Sequence, residues 1–236
     1  MRFVSWLLQY PRLVVIAIGA AVTAAVAGYA GDQSRRAVTW AMAPTVGRLP
    51  WSRSAASPQR TLSSRMSIVD LELVDPNGRL GRYRKTSVYQ ANVPVRVYRE
   101  GVTASGSVTA FRTARGRIDK TVREHGFYMS EIDLGMRIET GQQFLNVYEA
   151  ELRNSFQDRT QEWTQQISFR TEVLVIQVHF PSERPPVTCQ TAIIDGTDER
   201  EDVGAAEIVD LYGRRSIVWS VPFPNSAYVY KLKWAW

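Results

Sequence analysis

A single cysteine, Cys189, denies this chain an internal disulfide framework and any cysteine-based zinc site. With no basic neighbour to activate it, that thiol reads as a small apolar side chain. Histidine is nearly as scarce. His125 precedes Gly126 in a turn and reads as a surface residue. His179 falls on the strand face opposite Leu174, Ile176, Val178 and Phe180, the position of a hydrogen-bonded structural histidine. The two are too distant in sequence to form a local ligand pair. No HExxH, GxSxG, Walker-type or GxGxxG pattern occurs, so metalloprotease, hydrolase-elbow, P-loop and Rossmann readings have no motif behind them. The sequence nominates no catalytic residue, no metal ligand and no cofactor.

The body of the chain also lacks an excess of positive charge. The net charge is +6, but residues 1–65 hold eight arginines against Asp32 alone, and the rest carries 21 basic and 22 acidic side chains. A nucleic-acid-binding domain concentrates charge on its folded face; here the charge sits in the segment before the body. That excludes nucleic acid as the expected partner and favours anionic lipid headgroups.

Long apolar runs are missing as well, except for one. Leu13–Ala30 is eighteen residues without a charge; as a helix it spans roughly 27 Å, close to the ~30 Å hydrocarbon core of a bilayer. A cleaved signal peptide is the competing reading, with Arg2 as its basic region and the AGYA at 27–30 as its small-residue site. The twelve residues before the run fit a retained span better: Trp6 and Tyr10 suit the headgroup level and Pro11 suits the opening of a helix. The expectation is a single-pass membrane protein, with 1–30 as lead-in and transmembrane helix. The arginines after the span place the body on the cytoplasmic side by a small bias, with the periplasmic or extracellular side as the alternative.

Within the span, Gly19, Thr23 and Ala27 form one row of small residues, and Ala20, Ala24 and Gly28 form the adjacent one. Such rows let a second helix approach closely, either from a partner subunit or from another copy. Residues 31–65 are rich in Ser, Pro and Arg without sustained periodicity, a basic juxtamembrane linker. Arg35, Arg36, Trp40 and Trp51, together with Trp6 and Tyr10, are the expected membrane-surface contacts.

From Met66 the period becomes two. Val69, Leu71 and Leu73 alternate with Asp70 and Glu72, and Asp75-Pro76-Asn77-Gly78 supplies a turn. Further strands are predicted at 83–89, 93–98, 108–111, 128–134, 144–152, 165–169, 173–180, 217–221 and 228–236. Weak helical patterns fall at 113–124 and 199–211. The sum is an all-β domain over 66–236, an antiparallel β-sandwich, immunoglobulin-like or barrel-like, of about 8–10 strands. The last strand is the clearest: Tyr230, Leu232, Trp234 and Trp236 share one face, and Lys231 and Lys233 the other. Trp219 is expected in a neighbouring strand.

Charged clusters remain. Asp195, Asp198, Glu199, Glu201 and Asp202 match no EF-hand spacing and read as a solvated loop. Arg112, Arg115, Arg117, Lys120 and Arg123 form a candidate anion-binding cluster, and Arg79, Arg82, Arg84 and Lys85 a smaller patch. Two functions follow: a non-enzymatic accessory or scaffold subunit of a bacterial membrane protein complex, or a membrane-tethered sensor whose β-domain binds a small, nucleotide-like anion.

Overall fold

The alternation from Met66 onward becomes a set of long strands because one face of each can be buried and the other wetted. A computed structural model describes residues 61–236, apart from 125, 196–197, 202–203 and 212. The span, its small-residue rows and the juxtamembrane contacts Trp6, Tyr10, Arg35, Arg36, Trp40 and Trp51 lie outside the described residues. No helix among the described residues is long and apolar enough to cross a membrane.

Every element from Leu62 onward is a strand. In chain order they are β1 (Leu62–Leu73), β2 (Leu80–Ala91), β3 (Val95–Thr103), β4 (Ser107–Thr113), β5 (Arg117–Glu124), β6 (Phe127–Ile138) and β7 (Gln143–Arg153). Then follow β8 (Thr160–Gln166), β9 (Arg170–His179), β10 (Thr188–Asp195), β11 (Asp198–Glu201), β12 (Ala206–Leu211), β13 (Arg214–Pro222) and β14 (Val229–Ala235). A seven-stranded sheet runs β12-β13-β9-β1-β2-β7-β4, a four-stranded sheet β11-β10-β14-β8, and a three-stranded sheet β3-β6-β5. All pairings are antiparallel except β1 with β9, which run parallel.

The all-β, sandwich-like expectation holds at that level, and its details need correction. There are fourteen described strands rather than eight to ten. The four without a counterpart in the pattern are β5, β10, β11 and β12, and three of these replace the weak helical patterns. β5 and β11 read RIDKTVRE and DERE. Both are sheet edges rich in charge, which blunts unwanted pairing and leaves no clean alternation to detect.

The two smaller sheets cover the inner face of the large one. From the large sheet come Tyr83, Tyr89, Phe144, Tyr148, Ile176 and Trp219, all at most 3% exposed. Tyr98 and Ile132 meet them from the three-stranded sheet, and Trp163, Tyr230, Leu232 and Trp234 from the four-stranded one. Ring centroids lie 5.5 Å apart for Tyr89–Tyr98, 5.4 Å for Tyr83–Trp163 and 5.9 Å for Trp219–Tyr230. Trp219 is therefore not beside the last strand: β13 and β14 belong to different sheets and meet face to face across the core.

The turn at 75–78 forms as its residues dictate. The Asp75 carboxylate accepts the Asn77 and Leu80 N–H groups at 2.9 and 2.7 Å. Gly78 sits at φ +68°, and a Cβ there would lie 1.7 Å from the Phe156 carbonyl oxygen. Only glycine satisfies both conditions.

β14 is an interior strand, bonded to β10 on one side and β8 on the other. Its aromatics each remove on the order of 150–250 Å² from water. Deleting Tyr228–Trp236 is expected to leave an insoluble body; a soluble truncation with a cooperative melt would overturn this placement.

Candidate functional site

The candidate anion-binding residues lie along β4, β5 and the link between them, which passes from the seven-stranded to the three-stranded sheet. Arg112 is on β4, Arg115 is in the turn, and Arg117, Lys120 and Arg123 are on β5. The pleat then sorts them. Arg117 and Lys120 sit opposite Asp133 and Glu131 on the outer face of the three-stranded sheet, whereas Arg123 shares the inner face with Ile118 and Thr121. Arg117 pairs with Asp119 at 2.7 Å. The Arg115 guanidinium lies 5.4 Å from the centre of the Phe144 ring, and that of Arg123 5.4 Å from Tyr128. Arg112, Arg115, Lys120 and Arg123 have no acidic partner among the described residues. Beside them, Arg96 grips Asp133 with two bonds of 3.1 Å. That grip, followed by the Gly135 N–H, holds the Asp133 carboxyl below its ordinary range.

The acidic group takes a different form from the expected loop. Glu199 and Glu201 lie on β11 and pair with Lys231 and Lys233 of β14 at 2.5–2.9 Å. The lysine hydrogen bonds come first in lowering both carboxyls. The two glutamates of this ladder are exposed, so its contribution to stability is small. His179 is hydrogen-bonded as its position implies, with Nδ1 2.9 Å from the Ser216 hydroxyl and Nε2 3.6 Å from Asp70. Among the described residues no three His, Cys, Asp or Glu side chains are placed to hold a metal ion.

The patch assigned to Arg79, Arg82, Arg84 and Lys85 needs correction. Arg82 and Arg84 point outward to Glu72 and Glu149 at 3.4 and 2.7 Å. Lys85 instead points into the core, with its side chain 7% exposed. The signal was present in β2: Tyr83, Lys85, Ser87 and Tyr89 share one parity, so an aromatic-faced strand carries a lysine on its buried side.

That lysine anchors an interior polar seam. Its Nζ donates to Glu100 Oε2 at 2.7 Å, and the Tyr89 hydroxyl donates to Glu100 Oε1. Lys85 belongs to the large sheet and Glu100 to β3, so the pair joins two sheets through the core. Nearby hydroxyls extend the seam: Ser67 with Ser87 at 2.8 Å, and Thr121 with Ser130 with Tyr148 at 2.8 Å each. Asn146 donates to Tyr98 at 2.6 Å. A recess beside Lys85, lined by Ser67, Gln165, Ile167, Phe169 and Leu174, has room for about one water (≈ 10 Å³). The arrangement is suited to fixing the register of two sheets.

Burial, then the Glu100 charge, pushes the phenols of Tyr83 and Tyr89 well above the ordinary value, and Tyr98 behaves likewise. Tyr148 is raised mainly by burial, and Tyr230, again by burial, to about 12. Raised phenol values mean that the fold favours the neutral form. Stability from this source is whole below pH ~10 and falls as pH rises past it, because the unfolded chain then ionises. On alkaline titration of the ten tyrosines, these five are expected to stay protonated beyond pH ~10 by 295 nm absorbance. Normal titration of all ten in the folded protein would refute the packing.

Removing one member of the buried pair strands the other charge. Lys85→Met is expected to cost about 3–5 kcal/mol, and Lys85→Met with Glu100→Leu clearly less. A double variant no better than the single in urea unfolding would refute the pairing.

At the end of the large sheet where β1 begins, the backbone carries one conspicuous outlier. Phe223, between Pro222 and Pro224, adopts φ +48° and is 73% exposed. Its N–H donates to the Glu172 carbonyl at 2.6 Å. A left-handed non-glycine residue costs on the order of 1–3 kcal/mol. The strain presents a large aromatic to the outside.

No family model and no curated protein matches the chain. Solved structures that resemble it include the M1 zinc metallopeptidase from Deinococcus radiodurans, at 13% identity and a TM-score of 0.45, over 74% of this chain and 42% of that one. A two-domain M1 zinc metallopeptidase mutant bound to the amino acid L-tryptophan gives 13% and 0.46, over 74% and 43%. This chain therefore spans less than half the length of either protein, and the likeness is too low in identity and superposition to speak to activity.

Proposed function

We propose that the chain is a single-pass membrane-anchored protein whose β-sandwich serves as a non-enzymatic accessory or scaffold subunit of a membrane protein complex, with its body on the cytoplasmic side. The observation that carries this reading is the order of chemistries along the chain. An uncharged eighteen-residue run is followed by an arginine-rich segment and then by a body close to neutral. The small-residue rows of the run suit close packing against another helix. The body adds rigid sheets with their buried charges already paired, a form suited to presenting surfaces.

A second reading, a tethered sensor of a small anion, draws on Arg112, Arg115, Lys120 and Arg123, which lack acidic partners among the described residues. The two separate on purification of the full-length chain in mild detergent. The first predicts a stoichiometric set of membrane proteins, lost when Gly19→Ile and Ala24→Ile are introduced together. A chain that elutes alone and binds a nucleotide, with binding abolished by Arg115→Glu, would overturn the first in favour of the second.

A further inference from the structure

We infer that the end of the sandwich where β1 begins is itself a lipid contact, with Phe223 as the side chain that enters an anionic bilayer surface. The inference rests on the membrane-anchored reading above and goes beyond it by assigning a second membrane contact to the body.

The strand directions bring the relevant residues together. β1 starts at this end, β2 and β13 finish here, and β7 and β9 start here: Leu62 pairs with Ala91, Gln90 with Gln143, Ser63 with Arg170, and Pro222 with Val173. Phe223 follows β13 directly. Val93 lies in the link after β2, with Asn92 N–H bonded to the Thr61 carbonyl at 2.9 Å. Met136 precedes Ile138, which pairs with Val95. These three side chains are 73%, 44% and 54% exposed, and they are three of the five large hydrophobics exposed on the described surface. Scattered exposed apolar residues are ordinary; three at one end, one of them exposed on an unfavourable backbone, are not.

The charge around them suits anionic headgroups. Arg65 and Arg137 are paired with Glu172 and Glu139. Arg170, next to the start of β1, and Arg115, whose guanidinium reaches the Met136 sulfur at 3.7 Å, have no acidic partner among the described residues. An aromatic side chain and unpaired arginines at the same end of a domain are the composition of an interfacial membrane contact.

The covalent chain supplies the proximity. Residues 31–61 separate the apolar run from β1, and a segment of that length reaches at most about 100 Å. A tethered body therefore samples the surface at high effective concentration, and a contact too weak to recruit a free protein can engage it. The backbone at Phe223 is fixed by the two prolines and the Glu172 carbonyl, so little ordering is required on contact.

The lone cysteine makes the test direct. In full-length protein carrying Cys189→Ser, Phe223→Cys and separately Val187→Cys are labelled with an environment-sensitive fluorophore. Val187 is a matched control, equally exposed at 73% but at the opposite end, beside Thr188 and Ala235. Both proteins are reconstituted into phosphatidylcholine vesicles containing phosphatidylglycerol, and flotation after alkaline washing reports anchoring. The expected result is a blue shift at 223, with quenching by spin-labelled lipid at least about twofold stronger than at 187. Equal quenching in protein that floats would overturn the lipid contact and leave the anchor standing. Protein that fails to float overturns both. A probe at 223 that stays wet in vesicles, yet becomes protected in native membranes, would assign the tip to a protein partner and refute this proposal.

Discussion

The parallel pairing of β1 with β9 is the constraint on which the rest of the fold depends. β1 is the first of the described strands, yet it occupies the middle of a seven-stranded sheet and has only β2 as a local neighbour. Its other edge stays open until Ser63 meets Arg170 and Glu72 meets His179, after seven further strands have been made. Loop closure of that length must be met before the contact stabilises anything. Contacts of this kind are associated with slow folding. Once β9 is in place, β13 and β12 add along its free edge, and the face that receives β14 is complete.

The core follows from this arrangement. A sheet of seven strands offers more inner face than one small sheet can cover, and here two divide the task. Their boundary runs over the polar seam. Tyr89 and Phe144 of the large sheet pack against Tyr98 of the three-stranded one, and Tyr83 and Trp219 of the large sheet against Trp163 and Tyr230 of the four-stranded one. Lys85 and Glu100 tie the three-stranded sheet to the large one with a directional contact, where apolar packing alone would tolerate sliding. A buried ion pair is weak evidence for stability and better evidence for a single register; its place between two independent sheets is where register is least determined by anything else.

Much of the architecture was legible along the chain. The clean alternations at 69–73, 83–89, 144–152 and 228–236 are strands because each buries one parity against the core. β11, reading DERE, was illegible because an edge strand held by lysines of β14 needs no apolar face at all. Lys85 was read with its arginine neighbours because charge is the louder signal; parity, the quieter one, placed it correctly. Trp219 and Tyr230 were recognised as core, but which sheet each joined is a matter of long-range pairing that no local pattern encodes. Phe223 gave no signal, since its significance lies in a backbone angle and an exposure.

The two-sided bonding of β1 has a mechanical meaning. Any tension from the preceding segment acts on Leu62 along the strand axis, while the bonds to β2 and β9 lie across that axis. Such a load shears both ladders at once instead of opening them one rung at a time. A body loaded through this strand resists being pulled apart, because the point of load is also the centre of its largest sheet.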